Sequence, residues 1–145
     1  VDQDFESLAN ELDVLVVTGG DDTPLRRVVE LRISTQMIKR QRPILGVCHG
    51  AFLLTDVLGG QVVEVEGHHN TEHPISYFGE LIKVNSYHTL AITQAPASAT
   101  VLCVDSAGNC EAWIDRSTAA VVWHPERMDV PWLPEEIEDL LTRTI

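Results

Sequence analysis

The chain has 145 residues, 44% hydrophobic and 22% charged, which is the size and composition of one globular domain able to bury a sizeable core. A formal charge of −12 argues against nucleic acid, whose phosphates need a basic surface to receive them. No apolar run reaches bilayer length and the N-terminus lacks the features of a signal peptide, so no membrane partner is expected. The three cysteines include no CxxC pair and make neither a disulfide framework nor a zinc site, which makes a reducing, cytoplasmic location the default.

Residues 2–11 form a short acidic, helix-like segment. Residues 12–17 are an apolar, β-branched run closed by Thr18-Gly19-Gly20-Asp21-Asp22, the pattern of a buried strand ending in a glycine turn. Leu25, Val28, Val29, Ile33 and Met37 then recur at helical spacing behind Pro24, a residue suited to a first helical turn. Asp21 or Asp22 would cap this helix. The only basic cluster, Lys39-Arg40-Gln41-Arg42, complements the helix dipole at its far end. Residues 43–47 give a second buried strand, and 51–58 a helix stopped by Gly59-Gly60.

Beyond that point the pattern changes. Residues 61–66 and 80–85 alternate, 99–104 form an apolar strand, and 111–114 with 118–123 read as a hairpin around Asp115-Arg116-Ser117. Pro134-Glu135-Glu136 opens a last helix carrying Ile137, Leu140 and Leu141. Strand–helix–strand–helix at the front predicts a parallel sheet with right-handed crossovers, extended by antiparallel strands. No repeat or linker divides the chain, so a single domain over 1–145 is expected.

Gly46-Val47-Cys48-His49-Gly50 lies between a buried strand and a helix, the context in which a nucleophile flanked by glycines has a mechanical meaning. A sharp turn there would expose Cys48 at the strand's C-terminal edge, and the helix N-terminus would favour its thiolate and aim backbone N–H groups, His49 first, at an oxyanion. Cys103, inside an apolar strand, and Cys110, at a turn, read as inert. Among six histidines His124 is the best base for Cys48 on local chemistry. It follows a strand, and Glu126 stands two residues on, where in extended backbone it shares a face with the imidazole and can set its tautomer.

Together, Gly46-Val47-Cys48-His49-Gly50 and Trp123-His124-Pro125-Glu126 resemble the class I glutamine amidotransferase-like superfamily, in which a Cys–His–Glu triad cleaves a γ-glutamyl amide. Leu15-Val16-Val17-Thr18-Gly19-Gly20 matches its strand and glycine loop. Val84-Asn85-Ser86-Tyr87-His88 is similar to the N-S-x-H segment of the γ-glutamyl hydrolase branch, which includes γ-glutamyl-γ-aminobutyrate hydrolase. Asn70-Thr71-Glu72-His73 and the Trp-His-Pro-Glu-Arg form ending at Arg127 resemble γ-glutamyl-CDP-amidate hydrolases of capsule biosynthesis.

The resemblance implies an α/β, flavodoxin-like three-layer sandwich with a mostly parallel central sheet and a few antiparallel strands. It implies a small-molecule γ-glutamyl substrate, no cofactor, and a glutamyl-thioester route. Cys48 attacks, His49 with Gly19 or Gly20 holds the oxyanion, and His124 protonates the leaving nitrogen and then activates water. Asn85, Ser86, His88, His73 and Arg127 are implied to bind substrate. An ammonia-supplying glutaminase subunit and an inactive binding module of the same fold are the alternatives. Family members carry a strand and helix ahead of the glycine loop that are not in these 145 residues. A fragment, a shortened variant, and a homo-oligomer whose second copy covers the open strand edge are the explanations.

The remaining polar and aromatic residues have plainer readings. His68, His69 and His73 come without soft companion ligands and His73-Pro74-Ile75 reads as the start of a strand, so no metal is expected there, and a loop facing the substrate fits better. Trp113, Trp123 and Trp132 read as packing. Arg26 and Arg27, after the glycine loop, could touch a charged substrate.

Overall fold

The computed structural model describes residues 2–66 and 69–143. His68 lies outside them, as does the side chain of His69. In chain order the elements are α1 (Asp2–Glu11), β1 (Leu15–Val17), α2 (Pro24–Lys39), β2 (Ile44–Val47), α3 (His49–Val57), β3 (Gln61–Glu64), β4 (His69–Tyr77), β5 (Glu80–Tyr87), β6 (Leu90–Gln94), β7 (Thr100–Val104), β8 (Cys110–Asp115), β9 (Thr118–Val121), a 3-10 turn (Pro125–Arg127) and α4 (Glu135–Thr142). No described helix is long and apolar enough to cross a membrane.

One sheet runs β1-β2-β9-β8-β7-β4-β5, with β6 paired to β8 and β3 to β6. The pairs β1–β2 and β2–β9 are parallel, with Val17 opposite Gly46 and Val47 opposite Val121. The pairs from β9 outward, β9–β8, β8–β7, β7–β4 and β4–β5, are antiparallel. All four residues of β2 and of β9 are buried, as strands covered on both faces must be, and this explains their unbroken apolar runs. Helix α3 packs on β2 and β9 and touches α2, which packs on β1 and β2. The parallel β1-β2-β9 core with its helices is the flavodoxin-like α/β arrangement that the resemblance implies, extended by more antiparallel pairs than the few expected. In such sheets ligands gather at the carboxyl ends of the parallel strands.

Local chemistry sets the element ends. Helix α2 is capped by Thr23, whose hydroxyl accepts from the Arg26 N–H at 3.3 Å, and Pro24 fills the first turn. The cap is therefore neither Asp21 nor Asp22. Trp113 and Trp123 are fully buried; the indole N–H of Trp113 donates to Thr55 Oγ1 at 2.9 Å, and Trp123 stacks on Trp132 at 5.6 Å. Helix α4 adds Ile137 and Leu140 to the core, as its spacing predicts.

One strand starts earlier than the sequence reading has it, and one escapes that reading. β4 starts at His69, ahead of the strand start read at His73-Pro74-Ile75, because its polar run His-Asn-Thr-Glu-His has no apolar alternation to betray it. β6 is five residues long and half exposed, and it is held from both sides, by β3 and by β8.

Candidate active site

Loops leaving the carboxyl ends of β1, β2 and β9 converge: Gly19-Gly20 follows β1, Cys48 follows β2, and His124 follows β9. Cys48 has φ 52° and ψ −106°, a conformation that costs a non-glycine residue roughly 1–3 kcal/mol. Its surroundings enforce it. The Cys48 N–H donates to Val121 O at 2.9 Å, tying the turn to β9. A Cβ on Gly46 would stand 2.5 Å from the Gly50 carbonyl oxygen, and one on Gly50 would run into the Val17 carbonyl. Strand and helix therefore meet backbone to backbone, and only glycine fits at both flanks.

His124 is 3% exposed and held from three directions. Its N–H donates to Asn85 Oδ1 at 2.8 Å, and its carbonyl accepts from Asn85 Nδ2 at 2.9 Å. On the ring, Nδ1 is hydrogen-bonded to Glu126 Oε1, and the Tyr87 ring lies edge-on at 5.6 Å. The Glu126 contact is made by the 3-10 turn, in which the Arg127 N–H donates to His124 O at 3.1 Å, and not by the extended backbone that the sequence suggests. With Nδ1 engaged as donor to a carboxylate, Nε2 carries the lone pair. The point where a Gly19 Cβ would stand lies 3.0 Å from His124 Nε2 and 3.5 Å from Cys48 Cβ. Glycine loop, cysteine and imidazole meet there.

A second network binds the glycine loop to the elbow. Arg26 donates to Thr18 O at 2.8 Å, to Gly19 O at 3.1 Å and to Asp21 O at 3.4 Å. Its Nε pairs with Glu30, and Glu30 Oε2 lies 2.9 Å from His49 Nε2. The φ of Gly20 is +128°, and a Cβ there would stand 2.5 Å from the guanidinium, so glycine is what admits Arg26. Arg26 thus grips the loop's carbonyls and does not face the cavity. Arg27 pairs with Asp22 at 3.5 Å and Asp56 at 2.9 Å, and all three line the cavity beside Cys48.

The Cys48 thiol is pushed above its usual range by burial, which outweighs the opposing pull of the His49 N–H and the Arg127 charge; Glu126 raises it further. The thiolate expected from the helix N-terminus alone is thus not the resting form. Cys103 and Cys110 are pushed up to about 12, also by burial first, in keeping with inert core thiols.

A cavity of about 370 Å³ opens over this point, lined among others by Gly20, Arg27, Cys48, His49, Tyr87 and His88. Not all the residues expected to bind substrate face it. His88 does, packed edge-on to Phe52 at 5.5 Å. Ser86 is fully buried, its Oγ 3.2 Å from His88 Nε2. Asn85 spends its amide on the His124 main chain. The Arg127 guanidinium lies 4.6 Å from the centre of the Tyr87 ring, facing a second cavity of about 340 Å³ that Asn85, Tyr87, Glu72 and Lys83 also line. His73 lines neither cavity and turns to Glu111. Tyr87, which walls both cavities, was only the variable position of the N-S-x-H segment. Glu30 gave no local signal, being an ordinary acid in a helix whose apolar Leu25, Val28 and Val29 are exposed rather than in the core. Glu111 could have been noticed as an acid interrupting a strand otherwise rich in apolar residues.

The family model for glutamine amidotransferase class-I matches residues 1–143, and the chain belongs to that family. Over 58 residues it is 41% identical to the pyridoxal 5'-phosphate synthase subunit PdxT of Haemophilus ducreyi, a stretch covering 39% of this chain and 31% of that protein. Over 135 residues it is 22% identical to the γ-glutamyl-CDP-amidate hydrolase of Campylobacter jejuni, covering 86% of this chain and 67% of the relative. The crystal structure of a glutamine amidotransferase from Thermotoga maritima matches with a TM-score of 0.74 at 19% identity, over 81% of this chain and 57% of that one, a likeness of fold. The matched stretches span 31% of the PdxT subunit, 67% of the Campylobacter hydrolase and 57% of the Thermotoga protein.

Proposed function

We propose that the chain hydrolyses a γ-glutamyl amide through a glutamyl thioester on Cys48, releasing glutamate and an amine. The observation that carries this reading is the meeting of Gly19, Cys48 and His124 Nε2 around one point at the carboxyl ends of β1, β2 and β9. Because burial keeps the thiol protonated, His124 takes the proton as the sulfur attacks the γ-carbonyl, and Glu126 steadies the imidazolium that results. The oxyanion is received by the N–H of His49 and by one from Gly19 or Gly20, each donor worth on the order of 3 kcal/mol of barrier. The imidazolium then protonates the leaving nitrogen, the C–N bond breaks, and the neutral ring activates water against the thioester. The cavity's His88 and Arg27 offer polar contacts to the glutamyl head group. Similarity to the γ-glutamyl-CDP-amidate hydrolase supports this substrate class.

The test is a panel of γ-glutamyl amides assayed for glutamate release, with intact-mass detection of the acyl-enzyme. Cys48→Ala should abolish turnover with little change in thermal stability. Undiminished hydrolysis by that variant would sink the assignment. A second reading, glutamine hydrolysis feeding ammonia to a synthase, is favoured by the 41% identity to a synthase subunit. It predicts glutaminase activity that emerges only when a partner protein is added.

A further inference from the structure

Glu111, in the middle of the sheet, has no part in that chemistry. It is 2% exposed on β8, and its Oε2 has no hydrogen-bond partner among the described residues. Its Oε1 lies 3.4 Å from His73 Nε2 on β4. With His88, from the segment after β5, these residues bring one ring nitrogen each and one carboxylate oxygen within 4.8 Å of one another. The expectation of no metal paired His73 with its sequence neighbours. The fold pairs it instead with two residues far along the chain.

The protonation pattern of the rings follows from their other contacts. A main-chain carbonyl can only accept, so the Leu90 carbonyl fixes the His88 proton on Nδ1, and the Pro74 carbonyl, 3.3 Å from His73 Nδ1, does the same there. In its neutral form each ring then carries its lone pair on Nε2. A carbonyl behind Nδ1 is also the usual outer support of a metal-bound imidazole. Two ring nitrogens and a carboxyl oxygen turned toward one another around a buried acid are the arrangement that a cation completes. Ser86, 3.2 Å from His88 Nε2, is the competing partner whose hydroxyl rotates aside on ligation.

We propose that His73, His88 and Glu111 form a binding site for a zinc-type divalent ion, with the fourth position open on the cavity side where His88 stands. Two imidazoles and one carboxylate are a donor set suited to such an ion, and bonds of about 2.0–2.2 Å draw the three atoms closer than they now lie by side-chain rotation. The ion would pin β4, β8 and the segment after β5 to one another, and so hold the Tyr87–His88 wall of the cavity. His88 also lines the Cys48 cavity, and metal binding is measured without the reaction assigned to Cys48.

The experiment uses the full chain carrying Cys48→Ala, so that the thiol cannot compete for metal. After chelation, Co²⁺ and Zn²⁺ are titrated by calorimetry and visible absorption. Expected are about one equivalent bound, the intense visible bands of four-coordinate cobalt, displacement by zinc and a raised Tm. Glu111→Gln and His88→Gln should each weaken binding at least about tenfold. Should Glu111→Gln fail to fold, His73→Gln, at a side chain 18% exposed, carries the same expectation. No binding and no shift in Tm would mean that a proton is the cation in the cluster, and would overturn the proposal. Binding that persists unchanged in these variants would overturn it too.

Discussion

Asn85 clasps the main chain of His124 at both polar groups, donating to its carbonyl at 2.9 Å and accepting from its N–H at 2.8 Å. The clasp joins the end of β5 to the segment that follows β9, and both partners are buried, so water cannot replace either bond.

Asn85→Ala should therefore lower stability by roughly 2 kcal/mol, since it orphans a buried N–H and a buried carbonyl. On the proposed reaction it should depress kcat more than it raises KM, because a loosened imidazole harms the chemical step while the cavity is intact. Denaturant melts with steady-state kinetics decide this. A pure KM effect would return Asn85 to the role of substrate ligand.

Gly19→Ala inserts a methyl group against the His124 ring and close to Cys48. The ring must move, and displacing a general base by a fraction of an ångström should cost about 100-fold in kcat. Far-UV circular dichroism should be unchanged, because Gly19 lies in a loop. Full activity in this variant would contradict the geometry at the meeting point.

The Arg26–Glu30–His49 network ties the glycine loop to the elbow, the two segments that offer oxyanion donors in the proposed reaction. Arg26→Met keeps the aliphatic stem and removes every hydrogen bond to the loop carbonyls. A fall in kcat of about 10- to 100-fold, with KM nearly constant, is expected from donors that lose alignment. Arg26→Lys should rescue only part of it, since an ammonium cannot reproduce the fork. Single-turnover acylation rates isolate the affected step.

Burial raises all three thiols, and pH should reveal it. Iodoacetamide labelling of Cys48 in the free protein should climb with pH and reach half its maximum above the value for an exposed cysteine. Cys103 and Cys110 have folded values pushed up to about 12, from an ordinary 9.0. The folded state holds these protons more tightly than the unfolded state. Their stabilising contribution is complete below pH 9.0 and is lost as pH rises toward about 12. Alkaline melts of Cys103→Val should show a shallower loss across that window; an unchanged slope would refute the assignment.

How much was legible beforehand depended on how local the signal was. The elbow declares itself because glycines must stand two residues either side of the cysteine, and the fold supplies the backbone contacts that demand them. Glu126 was paired with His124 correctly in partner and wrongly in conformation, since a 3-10 turn brings the same two residues together as an extended segment would. Asn85 gave no such clue. Its partner is 39 residues away, and a polar residue near a strand end looks the same whether it faces a ligand or a main chain. Cys48's acidity was misjudged because a helix N-terminus can be read from sequence, whereas the opposing desolvation depends on what packs above it. Glu111 and His73 meet only after β4 and β8 have been placed around β7, an arrangement that no periodicity encodes.

Because Gly46 and Gly50 bring β2, α3 and β1 into main-chain contact, the position of the sulfur is inherited from peptide geometry and not from a mosaic of side chains. Side-chain drift in the core leaves such a contact undisturbed, while any change at the two glycines breaks it at once. The cavity wall, built from Tyr87, His88 and Arg27, lies on other segments and carries no such constraint. The wall can therefore be exchanged, and on the proposed reaction the accepted amine with it, without rebuilding the turn that holds Cys48.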